Sequence, residues 1–325
     1  MPDPILINAS RSDVGWSFWG PVFTCDQLAY RTHIEKRQFF GSDALTQGSM
    51  GHLVLAHYYA RVACEQGGLE YEGQFYDDPD AFHDPETALR LWVDEAQARG
   101  EDAAPFIHNT LQLLKQYRIK EPHVADRVLW VERQGKMTLG LNAAGAFGLW
   151  TDDNLVAAAP LDCPELEVAH PAIPWLKHGA PICITKRLDL AVRARRDNKE
   201  YIWDHKVTGG SVGASVIEKY SMDGQFAVNT LLGEQLWNNF GGVALNLVQR
   251  RDPWGVNRGF VLPTPHRDRQ FARHLWTKAH HLARNVASLV TGETTGEDWV
   301  MTQNDLTCYH RFGKCGAFDL CRYGG

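Results

Sequence analysis

No stretch of this sequence approaches the run of about 18 consecutive uncharged apolar residues that crosses a bilayer as a helix. Its start, MPDPILINASRSDVGWSFWG, carries an acid at Asp3 and no apolar core of signal-peptide length. Both absences point to a cytoplasmic protein with no membrane part. An excess of positive charge is also missing: 33 lysines and arginines stand against 39 acids, a formal net charge of −6. That excludes a protein that holds a polyanion by bulk attraction, so any such contact must come from local patches. There is no internal repeat and no low-complexity tract, which excludes solenoid architectures. Seven cysteines, an odd number in a long chain without an export signal, argue against a disulfide framework and leave burial or metal binding as their uses.

What is present is the makeup of an ordinary globular protein, 325 residues with 44% hydrophobic and 22% charged. Residues 43–66 read as a helix, with Leu45, Leu53, Ala56, Tyr59, Ala60 and Ala63 near helical spacing and Gly67-Gly68 ending the run. Two further helices are expected at 85–99 and 103–118, the first opened by Asp84 as cap and Pro85 in the first turn. From about 164 the pattern becomes short and rich in branched and aromatic residues: LEVAHPAI, PICITKRLDLAVR and EYIWDHKVT read as strands, the last two joined by Arg196-Asp197-Asn198-Lys199. A helix at 222–239, strands in GGVALNLVQR and RGFVLPTP, and a long helix at 266–290 complete a mixed α/β core flanked by helices.

The strand EYIWDHKVT raises the chemical question, because an apolar run suddenly carries Asp204, His205 and Lys206. Side chains alternate along a strand, so Asp204 and Lys206 share one side and His205 takes the other. Pairing with the preceding strand brings Asp189 beside them. Two carboxylates and one amine at a point suit hydrolysis of a phosphodiester: the acids hold a hard divalent cation and the amine orients the attacking water. The other Asp-x-Lys, at Asp197–Lys199, sits in a polar turn and reads as a solvated loop.

"RLDLAV" and "YIWDHKVT" resemble the PD-(D/E)XK nuclease superfamily, and within it the RecB-like branch that includes CRISPR-associated adaptation nucleases, exonuclease V and phage exonucleases. The resemblance covers roughly 20–60 and 165–325. It implies a restriction-endonuclease-like α/β core in a single nuclease domain over 1–325, with 67–160 a helical insertion. It further implies that Asp189, Asp204 and Lys206 are catalytic, that the main-chain carbonyl of His205 joins Asp189 and Asp204 on the metal, and that His52 of "GSMGH" is a ligand from an early helix. Glu167 in "LEVAHPAI" stands where the family has a further acid, with Glu132 in "LWVERQ" a competitor for the role. Gln225 in "DGQFAVNTLL" matches the glutamine of a motif whose tyrosine position is here Asn229.

Cys25 near the start and Cys308, Cys315 and Cys321 in the tail have the layout of the iron-sulfur staple of such nucleases, with 20–30 and 305–325 clipping the chain ends around a [4Fe-4S] cluster. Four thiolates also suit zinc, and the choice stays open. Cys64, Cys163 and Cys183 read as small packed residues. Tyr30, Trp16 and Trp19 are candidates for stacking on bases, and Arg267, Arg269, Arg273, Lys278 and Arg284 on the last long helix for contacts with phosphates; a solvated helix face is the bland alternative. The expectation is a Mg2+- or Mn2+-dependent DNA exonuclease acting on single strands or duplex ends, with a helicase or recombination protein as possible partner. Two alternatives are a catalytically inactive nuclease-fold module that binds nucleic acid or serves assembly, and a redox protein whose Asp and Lys form an ordinary ion pair.

Overall fold

A computed structural model describes residues 14–36, 43–67, 84–98, 100, 102–120, 126–210, 213, 224–250, 252, 254–261, 265–299, 309–310 and 313–314. In chain order the main elements are α1 (Trp16–Thr24), α2 (Asp26–Ala29), α3 (Asp43–Glu65), α4 (Pro85–Ala98), α5 (Ile107–Lys120), β1 (Arg127–Asn142), β2 (Phe147–Trp150), β3 (Leu155–Ala158), β4 (Cys183–Arg193), β5 (Glu200–Thr208), α6 (Gly224–Leu236), β6 (Phe240–Gln249), β7 (Val256–Val261) and α7 (Pro265–Thr291). The class is α/β, a mixed sheet with flanking helices. No helix among the described residues is long and apolar enough to cross a membrane.

The chain expected as one domain divides into two compact units. The first takes its described residues from Gly41–Gly135 and Arg187–Thr264, the second from Ser10–Phe40, Lys136–Lys186 and Pro265–Gly325. The divisions fall inside β1 and β4, two long strands that each supply residues to both units.

In the first unit β4 pairs antiparallel with β5, from Arg193↔Glu200 to Leu190↔Trp203. β5 runs parallel to β6 along its whole length, and β7 returns antiparallel to β6. Parallel neighbours need a crossover rather than a hairpin, and α6 supplies it, packed on β5 and β6. On the other side of β5 lies α3. The approach is close: a Cβ at Gly51 would stand 2.6 Å from the Val207 side chain, so only glycine fits there. Nothing lies within 4 Å of a Cβ at Gly48. The core of this unit joins Leu55 and Tyr59 of α3, Leu89 of α4, Leu113 and Tyr117 of α5, and Leu190, Trp203 and Ala244 of the sheet.

In the second unit β2 and β3 both pair antiparallel with β1, and α7 packs against β2. Trp19 is fully buried, its indole N–H donating to the Cys183 carbonyl at 3.1 Å. It is therefore a core residue and offers no face to a base.

Most sequence boundaries hold. The Asp84 carboxylate accepts the Glu86 N–H at 3.1 Å, and α4 ends before Gly100, whose φ of +80° suits a residue just past a helix. Two expectations fail. The segment 67–160 is not wholly helical: after α4 and α5 it becomes the three strands β1–β3. LEVAHPAI is not a strand but the end of a short 3-10 turn, Pro164–Leu166, followed by bends. Leu166 is buried while Val168 is 81% exposed, so the two do not share a covered face as strand alternation requires.

Candidate metal centre and active site

The β4–β5 ladder stops at Leu190↔Trp203, one residue short of Asp189 and Asp204. Beyond that point β5 remains paired with β6, but its edge toward β4 needs another acceptor for its amides. Asp189 provides it: the His205 N–H donates to Asp189 Oδ2 at 2.7 Å. The first catalytic candidate is thus fixed by the backbone of the second candidate strand.

From α3, His52 brings Nδ1 to 3.4 Å from the same Asp189 oxygen, its side chain 31% exposed and that of Asp189 11%. Glu132 of β1 completes the group: one ligand atom each from His52, Glu132 and Asp189 lie within 4.8 Å of one another. Glu132 has φ +53°, a left-handed conformation uncommon for a residue with a side chain and rare within a strand. Strain of this kind costs on the order of 1–3 kcal/mol and persists where its surroundings over-determine it. An imidazole and two carboxylates suit a divalent cation of the magnesium or manganese kind, with nitrogen favouring the latter. Glu132 Oε2 also lies 3.8 Å from Arg187 Nε.

Asp204 and Lys206 share a face, as alternation requires, and form an ion pair. Gln225, in the first turn of α6, bridges them: its Nε2 donates to Asp204 Oδ1 at 2.7 Å and its Oε1 accepts from Lys206 at 3.3 Å. Asp204 is 1% exposed, whereas 21% of the Lys206 side chain reaches solvent. Asp204, expected on the metal with His52 and Asp189, is not in their group. It is drawn instead to the ammonium and amide on its own side of the sheet.

The His205 ring lies on the opposite side, 2% exposed. Its Nδ1 meets the Asn246 amide at 2.9 Å, that amide donates to Tyr117 OH at 3.1 Å, and Tyr117 meets Tyr59 hydroxyl to hydroxyl. Tyr59 stacks on the His205 ring, centroids 5.6 Å apart and planes within 10°. His205 therefore has no side-chain place in the metal group, and its amide faces Asp189.

Glu167 is exposed, caps the 3-10 turn in the second unit and is absent from the group, so the acid that joins His52 and Asp189 is Glu132. Tyr30 is half-buried against Trp299, centroids 5.2 Å apart. Arg273 is exposed and Lys278 half-buried on α7; the side chains of Arg267 and Trp16 lie outside the described residues. Cys25 is buried at the end of α1, while Cys308, Cys315 and Cys321 lie outside the described residues. Sequence reasoning missed Arg187 and Asn246. Arg187 had a signal, since it is two residues from Asp189 and so on the same strand face; Asn246, in an apolar strand, was the polar exception.

No family model matches this chain, and no curated protein does. Among solved structures, one titled "Crystal structure of SSO0001" is similar over 70% of this chain and 74% of its own, with 10% identity and a TM-score of 0.27, a likeness that carries no argument.

Proposed function

We propose that this protein is a divalent-metal-dependent nuclease that hydrolyses phosphodiester bonds of DNA, an exonuclease working on single strands or duplex ends in recombination, repair or phage DNA processing. The observation that carries the reading is the meeting of His52, Glu132 and Asp189 within 4.8 Å, with Asp189 held by the N–H of His205, the residue between Asp204 and Lys206. A structural ion-pair network has no need of two carboxylates converging on a half-exposed imidazole.

A divalent cation held by these three residues would polarise a phosphoryl oxygen and acidify a bound water. The remaining work belongs to the chain. Asp204 pairs with the Lys206 ammonium and aims it, and Gln225 fixes both by donating to one and accepting from the other. Lys206, with 21% of its side chain exposed, would offer N–H donors to the attacking water and to the charge that grows on the phosphate. The His205 amide keeps the Asp189 carboxylate in one orientation through the reaction.

We assign Cys25, with Cys308, Cys315 and Cys321, to a [4Fe-4S] cluster, with zinc as the alternative. The visible spectrum and the iron and zinc content of anaerobically purified protein decide between them. For the nuclease, the test is digestion of end-labelled single- and double-stranded DNA with Mg2+, with Mn2+ or with a chelator. Shortening that requires the ion and disappears in Asp189→Asn and Lys206→Ala supports the proposal. DNA left intact under every condition overturns it, and binding without digestion assigns the inactive-module alternative.

A further inference from the structure

Arg187 has no place in the chemistry above, yet three features put it there. It sits two residues before Asp189 on β4, on the same strand face. Its Nε lies 3.8 Å from Glu132 Oε2. Its side chain is 32% exposed where that of Glu132 is 8%, so the guanidinium spans from the buried carboxylate toward solvent. Glu132 is thus shared between a cation of the chain and the group that would hold a metal ion.

Charge arithmetic gives this sharing a consequence. Glu132 and Asp189 together carry two negative charges, and Asp204 is balanced by Lys206. When a divalent ion is bound, the Glu132 carboxylate is neutralised and attracts Arg187 less. The guanidinium is then able to turn its planar donors to a phosphate, the geometry that arginine matches best. Without the ion, the two carboxylates repel a polyanion, and Glu132 keeps its attraction for Arg187.

We infer that Arg187 is a phosphate-contacting residue whose engagement is coupled to metal occupancy through Glu132, so that metal and DNA bind cooperatively; this rests on the nuclease reading. Coupling of this kind is reciprocal, since each ligand tightens the other by the same factor.

The experiment measures fluorescence anisotropy of a labelled single-stranded oligonucleotide with the full-length protein, in chelator and in Ca2+, over a salt series. Calorimetry of Ca2+ binding without oligonucleotide runs alongside. In the wild-type protein Ca2+ is expected to tighten oligonucleotide binding by about tenfold or more. In Arg187→Gln that enhancement falls below about threefold, and the plot of log affinity against log salt becomes shallower by about one phosphate contact. Arg187→Lys keeps the slope and the Ca2+ affinity measured without oligonucleotide, whereas Arg187→Gln, which removes the cation that competes for Glu132, leaves that affinity equal or tighter. Undiminished enhancement and slope in Arg187→Gln overturn the inference, as does a Ca2+ affinity reduced about tenfold without oligonucleotide, which makes Arg187 only a support for Glu132. A wild-type protein that binds Ca2+ but no oligonucleotide overturns the nuclease reading itself.

Discussion

The backbone N–H of His205 donates to Asp189 Oδ2 at 2.7 Å, so a carboxylate stands where a β-sheet would ordinarily place a carbonyl. The same residue turns its ring to the other side of the sheet, where Asn246, Tyr117 and Tyr59 form a polar chain inside an apolar core. Buried polar groups of this kind are costly unless satisfied, and satisfied they fix one arrangement. One face of β5 therefore anchors the strand while its edge holds the candidate ligand.

Asn246→Leu removes the hydrogen-bond partner of His205 and the donor to Tyr117, and is expected to cost about 1–3 kcal/mol, the usual consequence of stranding buried partners. Thermal denaturation reads this loss, and Mn2+ titration reads the second effect. With its ring no longer tethered, β5 presents its amide to Asp189 less rigidly, and metal affinity falls. Tyr117→Phe leaves the Asn246–His205 contact in place, so it should lower stability without weakening Mn2+ binding. Equal metal affinity in wild type and Asn246→Leu would separate the polar chain from the site.

Gly48 and Gly51 both lie in α3 shortly before His52, but only Gly51 is constrained. Gly51→Ala drives a methyl to within 2.6 Å of Val207 and should destabilise by about 1–3 kcal/mol as an overpacked contact. Val207→Ala in the same chain should recover most of that. Gly48→Ala meets nothing and should stabilise by roughly 0.5–1 kcal/mol, the usual helical preference for alanine. Melting temperatures of the four proteins check the set, and a neutral Gly51→Ala would mean that α3 does not lie against β5.

The thiols differ in environment. Cys64 is exposed near the end of α3, whereas burial and then Glu165, whose carboxylate accepts from Cys163 Sγ at 3.4 Å, push the Cys163 thiol above its ordinary range. Alkylation needs the thiolate. Brief iodoacetamide treatment at mildly alkaline pH, mapped by mass spectrometry, should therefore label Cys64 at least about tenfold faster than Cys163, and denaturant should erase the difference. Equal rates in the native protein would place Cys163 at the surface.

The sequence made the helices and β4–β7 legible because their patterns are local. The Asp84-Pro85 start, the apolar stripe of Phe271, Leu275, Ala279 and Leu282, and the alternation of Asp204 with Lys206 each need only a few neighbouring residues to be seen. β1 was not legible. Val128 to Val131 are all buried, then Glu132 enters the left-handed region, and the charges and glycine that follow break any period. The same irregularity left the third member of the metal group, Glu132, no more than a competitor to Glu167. Glu167 had the expected position along the chain, but position along the chain does not say which acid a bent strand will deliver to His52.

Glu132 combines a backbone cost with a chemical use, and two substitutions separate them. Glu132→Gly relieves the φ of +53° and removes the carboxylate, so stability should hold or rise by about 1 kcal/mol while Mn2+ affinity falls more than about tenfold. Glu132→Gln keeps the strained backbone and loses the charge, so metal affinity should fall similarly with no gain in stability. Calorimetric Mn2+ titration and thermal melts of the three proteins give both quantities. If Glu132→Gly binds Mn2+ as tightly as the parent, the glutamate is not a ligand, and the imidazole and Asp189 must find their third partner elsewhere. If it melts well below the parent, the carboxylate's contact with Arg187 outweighs the strain, and the left-handed turn in β1 is maintained by that ion pair.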